Sequence, residues 1–364
     1  MGSALREVAT VRVGVFLLAA QFPGQGHTEA LHRAVQAAQA AESAGLDSVW
    51  LAEHHFVPYG VCPSAVTLAA LLLGRTERIG VGTAVSVLPN THPVTLGEQA
   101  ALLHLVSGGR FTLGVGRGGP WVDLEVFGAG LPAYESGFPE ALKLLLRWLH
   151  EPRVSADGPR YSFREVPVVP LAGELSSGPG TCPPAGSGGQ GAGPPVIVAC
   201  TSVPTATLAA RLGLPMLLGM HCGDEEKAAM VAEYRTAALA AGRTPEDVQR
   251  TEHVAAGVVQ VADTREEAVE TLAKAMPGWL RQGLAAHITV DGRKRPMRDP
   301  YEYTRLLCEL HPVGPPGLCA ERLARTAERT GIRRFALMVE GSGDLAATER
   351  NVSRLGGEVL PLLR

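Results

Sequence analysis

The sequence has no pair of cysteines in C-x-x-C spacing, no apolar run approaching the roughly 20 residues of a membrane span, and no marked excess of either charge. Each absence narrows the reading. Six cysteines (Cys62, Cys182, Cys200, Cys222, Cys308, Cys319) scattered through 364 residues argue against a disulfide scaffold and for reduced thiols in a cytoplasm. A formal net charge of -3 gives no reason to expect nucleic acid or an anionic membrane as partner. The basic cluster Arg293-Lys294-Arg295 is short and flanked by Asp291 and Asp299, which suits a solvated loop. The apolar run Val13 to Ala20 has no basic segment before it and reads as a first strand rather than a leader or a membrane span.

What the chain does hold is apolar material for one large core, 46% hydrophobic against 19% charged, in alternating strand and helix patterns. Strands are expected at Val11 to Leu18, Ser48 to Ala52, Ile79 to Val85, Phe111 to Val115, Val196 to Cys200, Pro215 to Leu218, His253 to Val261 and Phe335 to Glu340. Helices are expected at Thr28 to Ala44, Ser64 to Leu73, Val94 to Val106, Ala133 to His150, Pro204 to Arg211, Glu225 to Ala241, Arg265 to Leu280 and Ala346 to Leu360. Eight such units predict an α/β chain closed into one (β/α)8 TIM barrel with insertions, spanning 1–364. Two stretches break the alternation. Gly173 to Pro195 is rich in Gly, Pro and Ser and is expected to be a flexible insertion. Arg281 to Cys319, with Tyr301, Tyr303 and a Pro-rich end, is expected to be a mobile lid.

The most informative motif is Ala52-Glu53-His54-His55-Phe56, at the carboxyl end of the second strand, where barrels do their chemistry. Adjacent residues of an extended segment point to opposite sides, so both histidines do not easily hold one ion, and no second His or Cys cluster supplies further ligands; no metal site is expected. A neutral-range base aimed into the barrel mouth is the leading use of one imidazole, against the plainer reading of two hydrogen-bonded core or interface histidines. The third strand ends in small residues from Val81 to Val85, which admit a flat ring or simply pack tightly. At the fourth strand end, Gly114-Val115-Gly116-Arg117-Gly118 frees the backbone and offers one cation for a phosphate. It lacks the spacing and the distant acidic residue of a dinucleotide fingerprint. Thr201-Ser202-Val203-Pro204-Thr205 opens a helix after the fifth strand, as an ordinary N-cap or as an anion site facing Arg117.

Four motifs in order, Ala-Glu-His-His-Phe, Val-Gly-Thr-Ala-x-x-Val-Leu-Pro-x-x-His-Pro-Val, Gly-Arg-Phe-x-x-Gly-x-x-Arg-Gly and Gly-Leu-Pro-Met, resemble the bacterial luciferase family of flavin-dependent monooxygenases, most closely its catalytic alpha subunit. The resemblance runs from about Val11 to Leu360. It implies reduced FMN, supplied by a separate flavin reductase, with dioxygen adding at the flavin 4a carbon to give a peroxide that oxidises a small organic substrate. His54 matches the family's catalytic histidine. Ala84 and Val85 match an unusual cis peptide behind the flavin ring, Arg117, Ser202 and Thr205 match phosphate contacts, and Thr201 matches a residue whose backbone meets the flavin. His55 and Glu98 match a pair that meets across the subunit interface, so a dimer, taken here as a homodimer, is implied. Asp123 matches an aspartate near the active site. Gly116 stands where the light-emitting enzymes carry a reactive cysteine, and Met220 where they carry a tryptophan, so the substrate pocket differs from that for long-chain aldehydes. An apolar or aromatic metabolite, from a specialised biosynthesis in a high-GC bacterium, is the expected substrate. The rivals are a deazaflavin-dependent oxidoreductase on the same fold and a non-catalytic flavin-binding subunit.

Overall fold

The computed structural model describes residues 10–174, 193–293, 295 and 298–364. Eight parallel strands close on one another: β1 (Arg12–Leu17), β2 (Ser48–Leu51), β3 (Gly80–Thr83), β4 (Phe111–Gly116), β5 (Val196–Cys200), β6 (Met216–Leu218), β7 (Val254–Val258) and β8 (Arg334–Met338). Each pairs with its sequence neighbours, and β8 pairs with β1 through Val13 opposite Phe335 and Val15 opposite Leu337. This is the expected (β/α)8 barrel, an α/β fold with its open ends at the strand termini.

Alternation along each strand sorts the core into two layers. In β1, Val13, Val15 and Leu17 face the helices, while Phe16 and Leu18 join Trp50, Ile197, Val254 and Met338 inside the barrel. Trp50 fills much of that lumen, donating Nε1–H to Ser48 Oγ at 3.0 Å. Gly82 makes room for it, since a Cβ there would lie 2.6 Å from the indole. A packed lumen leaves chemistry to the rim.

The longer helices are α1 (His27–Ser43), α2 (Ala65–Arg75), α3 (Pro93–Val106), α4 (Phe138–His150), α5 (Val203–Leu212), α6 (Asp224–Ala240), α7 (Arg265–Ala285), α8 (Pro300–Leu310), α9 (Pro316–Thr330) and α10 (Leu345–Arg354). Their starts follow local chemistry: Ser64, Thr264, Asp299 and Asp344 accept backbone N–H groups of the first turn, and proline stands early in α3, α5, α8 and α9. At the seam between β8 and β1 a charged pair is sealed inside. Glu340 accepts N–H from Leu18 at 2.7 Å and Ala20 at 3.3 Å, and Arg33 of α1 lies 3.8 Å from it while donating to the carbonyls of Ala20 and Gly343.

Several boundaries differ from the sequence reading. The third strand stops at Thr83, and Ser86–Val87 resumes beside β4 after a bend. The stretch 281–319 is not one irregular segment: α7 continues through Pro277 to Ala285, α8 packs against it, and α9 begins at Pro316. An antiparallel hairpin, Arg153–Asp157 with Ser162–Pro167, stands outside the barrel. Most of the expected flexible insertion at 173–195 lies outside the described residues.

Candidate active site

The exit of β2 is stapled in place by Glu53. Its Oε1 accepts the Val87 N–H at 3.0 Å and its Oε2 the Ala65 N–H at 3.3 Å, joining the loop to the segment after β3 and to the start of α2. The two histidines then diverge, as extended backbone requires. His55 Nε2 lies 3.5 Å from Glu53 Oε1, and its ring rests on Phe127 at 4.9 Å. His54 turns inward, its backbone N–H donating to Cys62 O at 2.9 Å. Its Nδ1 is buried without a hydrogen-bond partner among the described residues, and its ring meets Tyr59 edge-on at 5.1 Å. Burial, aided by the nearby imidazoles of His287 and His55, pushes His54 down to about 3, so at neutral pH it is an uncharged acceptor. Among the described residues no group of His, Cys, Asp and Glu is arranged to hold a metal ion.

Next to it, the Ala84–Val85 peptide is cis, and small residues make a flat floor. Thr83 Oγ1 donates to Gly114 O at 2.7 Å, fixing β3 against β4. A Cβ on Gly116 would lie 2.5 Å from Val85 Cγ2; the valine occupies the space a side chain at 116 would need. Gly116→Cys alone is therefore expected to cost about 1–3 kcal/mol of stability, and Val85→Ala in the same chain to recover most of it. Urea unfolding of the parent, both single variants and the double variant checks this; simple additivity would contradict the shared space.

Beyond β4, the Arg117 guanidinium lies 4.4 Å over the Tyr134 ring and forms no ion pair among the described residues. The β4–β5 register, with Val115 opposite Val198, puts Arg117 and the β5 exit on one stretch of rim. There Ser202, the N-cap of α5, has its Oγ 3.1 Å from Thr205 Oγ1, and Thr201 is exposed beside them. A helix N-terminus, two hydroxyls and a guanidinium with no ion-pair partner among the described residues are groups that could hold an anion.

The remaining expected positions separate. Asp123 is buried, with Oδ2 accepting from Asn90 Nδ2 at 2.8 Å and Oδ1 from Leu124 N at 3.1 Å, an architectural use of both oxygens. Met220 packs against the lumen cluster, and its carbonyl accepts from His311 Nε2 at 2.6 Å. Glu98 stands on the exposed face of α3, and within the single chain the carboxylate beside His55 is Glu53.

The sequence reading passed over four aromatic side chains at this mouth and, beside them, the ring of His287. Tyr59 stacks on Trp279 at 4.6 Å and 13°, Trp279 stacks on Phe22 at 5.7 Å, and His287 lies 4.8 Å from Trp121. They come from four separate segments, so no spacing pattern marks them; the only hint was that His287 falls in the expected lid. That part of the chain is docked: Val122 N–H donates to Ile288 O at 2.9 Å and Val290 N–H to Pro120 O at 3.0 Å, pairing a strap around 286–291 with the loop after β4.

Comparison with known proteins agrees with this fold. The alpha chain of alkanal monooxygenase from Photorhabdus luminescens is 29% identical over 376 aligned residues, covering 97% of this chain and 98% of that one. Among solved structures, monooxygenase RslO1 from Streptomyces bottropensis superposes with a TM-score of 0.79 at 22% identity, over 96% of this chain and 99% of that one. The oxygenating constituent of 3,6-diketocamphane monooxygenase from Pseudomonas putida, solved with FMN, gives 0.74 at 22% identity over 97% and 99%. An F420-dependent secondary alcohol dehydrogenase gives 0.70 at 19% identity over 98% and 99%. The family profile of luciferase-like monooxygenases matches residues 11–334, and with that coverage the chain belongs to the luciferase-like monooxygenase family of oxidoreductases.

Proposed function

We propose that this protein is an FMN-dependent monooxygenase that takes reduced flavin from a separate reductase and oxidises a small apolar or aromatic metabolite with dioxygen, in specialised biosynthesis in the cytoplasm. The observation that carries this reading is the rim: Arg117, without an ion-pair partner among the described residues, and the α5 N-terminus flank a floor of small residues at Ala84–Val85 and Gly116, one strand away from His54. These residues fit a phosphorylated flat ring. Arg117, Ser202 and Thr205 would hold the phosphate, the backbone at Thr201 and the Ala84–Val85 floor would meet the ring, and Gly116 and Met220 would border the substrate. The flavin would supply the oxygen chemistry. The protein's part is to orient the ring, keep His54 uncharged as proton acceptor, and exclude water beneath the strap.

The test is to mix protein with reduced FMN in aerated buffer and follow flavin reoxidation. Protein at saturation is expected to slow it well below the rate of free flavin, and His54→Ala to change its pH dependence. Arg117→Ala is expected to weaken FMN binding about tenfold or more, one charge-assisted contact being worth roughly 1.5–3 kcal/mol. Reoxidation at the free-flavin rate throughout would sink the proposal.

The F420-dependent neighbour keeps hydride transfer from a deazaflavin as a second reading. An acidic cofactor tail calls for free cations beyond the phosphate cradle, yet Arg295 is bound to Asp291 at 2.5 Å and lies over Trp121. Competition between FMN and F420 for the apoprotein decides between them.

A two-chain assembly is part of the proposal. Glu98, Leu102 and Val106 line one face of α3 at four-residue spacing, with Leu102 53% and Val106 70% exposed, and Phe56 and Phe127 stack beside His55 with 58% and 44% exposure. Exposed apolar side chains beside one carboxylate and others beside one imidazole suit a second copy of the chain. Sedimentation is expected to give a dimer that Leu102→Glu dissociates.

A further inference from the structure

One titratable group at the mouth has no part in the reading above. His287 sits on the strap with its ring against Trp121 at 4.8 Å and Tyr59 at 6.2 Å, and its Nδ1 lies 3.1 Å from the Gly283 carbonyl. The chain thus leaves α7 with this imidazole folded back over the last helical turn. Tyr59, flat on Trp279, offers its edge to His54. Two glycines permit such close packing: a Cβ on Gly283 would fall 2.7 Å from Tyr59 Cα, and one on Gly60 2.7 Å from His54 Nδ1. Helix end, tyrosine and both imidazoles form one row of ring contacts, edge-on at each imidazole.

We propose that His287 is a positioning residue of the active site: the strap carries it in to fix Tyr59 against His54, and its charge governs the charge His54 can carry. The proposal rests on the reading of His54 as the proton acceptor. The groups facing the pair come from every side. The loop after β2 brings His55 and Tyr59, the loop after β4 brings Asp123, α7 brings the Gly283 carbonyl, and α8 brings Tyr303, whose charge is felt by Tyr59. On the strap itself Asp291 is taken up by Arg295. Burial lowers both imidazoles most; Asp123 partly offsets this at His287, whereas at His54 the charges of His287 and His55 add to it. As pH falls the first proton therefore goes to His287, and its charge then holds His54 neutral. The strap would shield the base from protonation as well as from water.

The test follows the His54 Cε1–H resonance of histidine-labelled apoprotein by NMR from pH 8 down to the onset of acid unfolding, in the parent, His287→Gln and His287→Phe. Glutamine keeps a polar group for the Gly283 carbonyl and phenylalanine keeps the ring, so a shift common to both isolates the lost charge. The parent His54 is expected to stay flat, and in both variants to begin titrating about half a unit to one unit higher in pH, within the folded range. A flat His54 in all three proteins overturns the proposal, as does a parent His54 that titrates near 6.5. No flavin is present in this measurement, so failure of the monooxygenase reading would appear separately, in the reoxidation assay.

Discussion

Glu340→Ala is expected to destabilise the protein by about 3–5 kcal/mol, the usual cost of removing one partner of a buried ion pair. Both members are sealed, Glu340 at 0% and Arg33 at 1% exposure. Without the carboxylate, the N–H groups of Leu18 and Ala20 lose their acceptor, and the guanidinium Nε, which has no hydrogen-bond partner among the described residues, loses the charge 3.8 Å away. The damage falls on the seam between β8 and β1, the last one closed in chain order. Arg33→Met combined with Glu340→Leu is expected to be milder than the sum of the single effects, because it removes both charges together. Urea midpoints of the four proteins measure this; equal destabilisation by the double variant and by the sum would contradict an ion pair at the seam.

Acidification is expected to have the second large effect. Burial pushes His54 down to about 3, His253 to about 4 and His311 to about 3. An unfolded imidazole takes a proton near 6.5, so below that pH the unfolded chain binds more protons than the native one. Stability is then whole above pH 6.5 and falls as pH drops toward 4. Glu340 works the other way, since burial raises its folded value and the native state takes up that proton first. The three histidines contribute up to about three protons, roughly 4 kcal/mol per pH unit, and Glu340 offsets part of this. Denaturant unfolding at several pH values between 7 and 4.5 gives the slope. His311→Gln, which can still donate to Met220 O, is expected to reduce it by one proton; an unchanged slope would show that His311 does not titrate on unfolding.

Much of the barrel was legible because its strands are short buried runs bounded by glycine and proline and its helices carry recognisable caps. Gly45 ends the turn after α1 with φ 73°, and Ser64 caps α2 through its Oγ. The divergence of His54 and His55 also followed from extended geometry alone. What the sequence concealed was nonlocal. Glu53 looked like a neighbour of the histidines, yet it acts as a staple between three segments. Helix α9 was masked by the prolines at 315 and 316, which signal a loop as readily as a first turn. The complementarity of Val85 and Gly116 depends on a register between β4 and the residues after β3 that no periodicity reveals.

The strap's grip on the loop after β4 is made by main-chain atoms, Val122 with Ile288 and Val290 with Pro120. Peptide groups are common to nearly all residue types, so this clasp is indifferent to the side chains that ride on it. Outside His287, substitutions along the strap are expected to leave this cover seated and the Ala84–Val85 floor untouched.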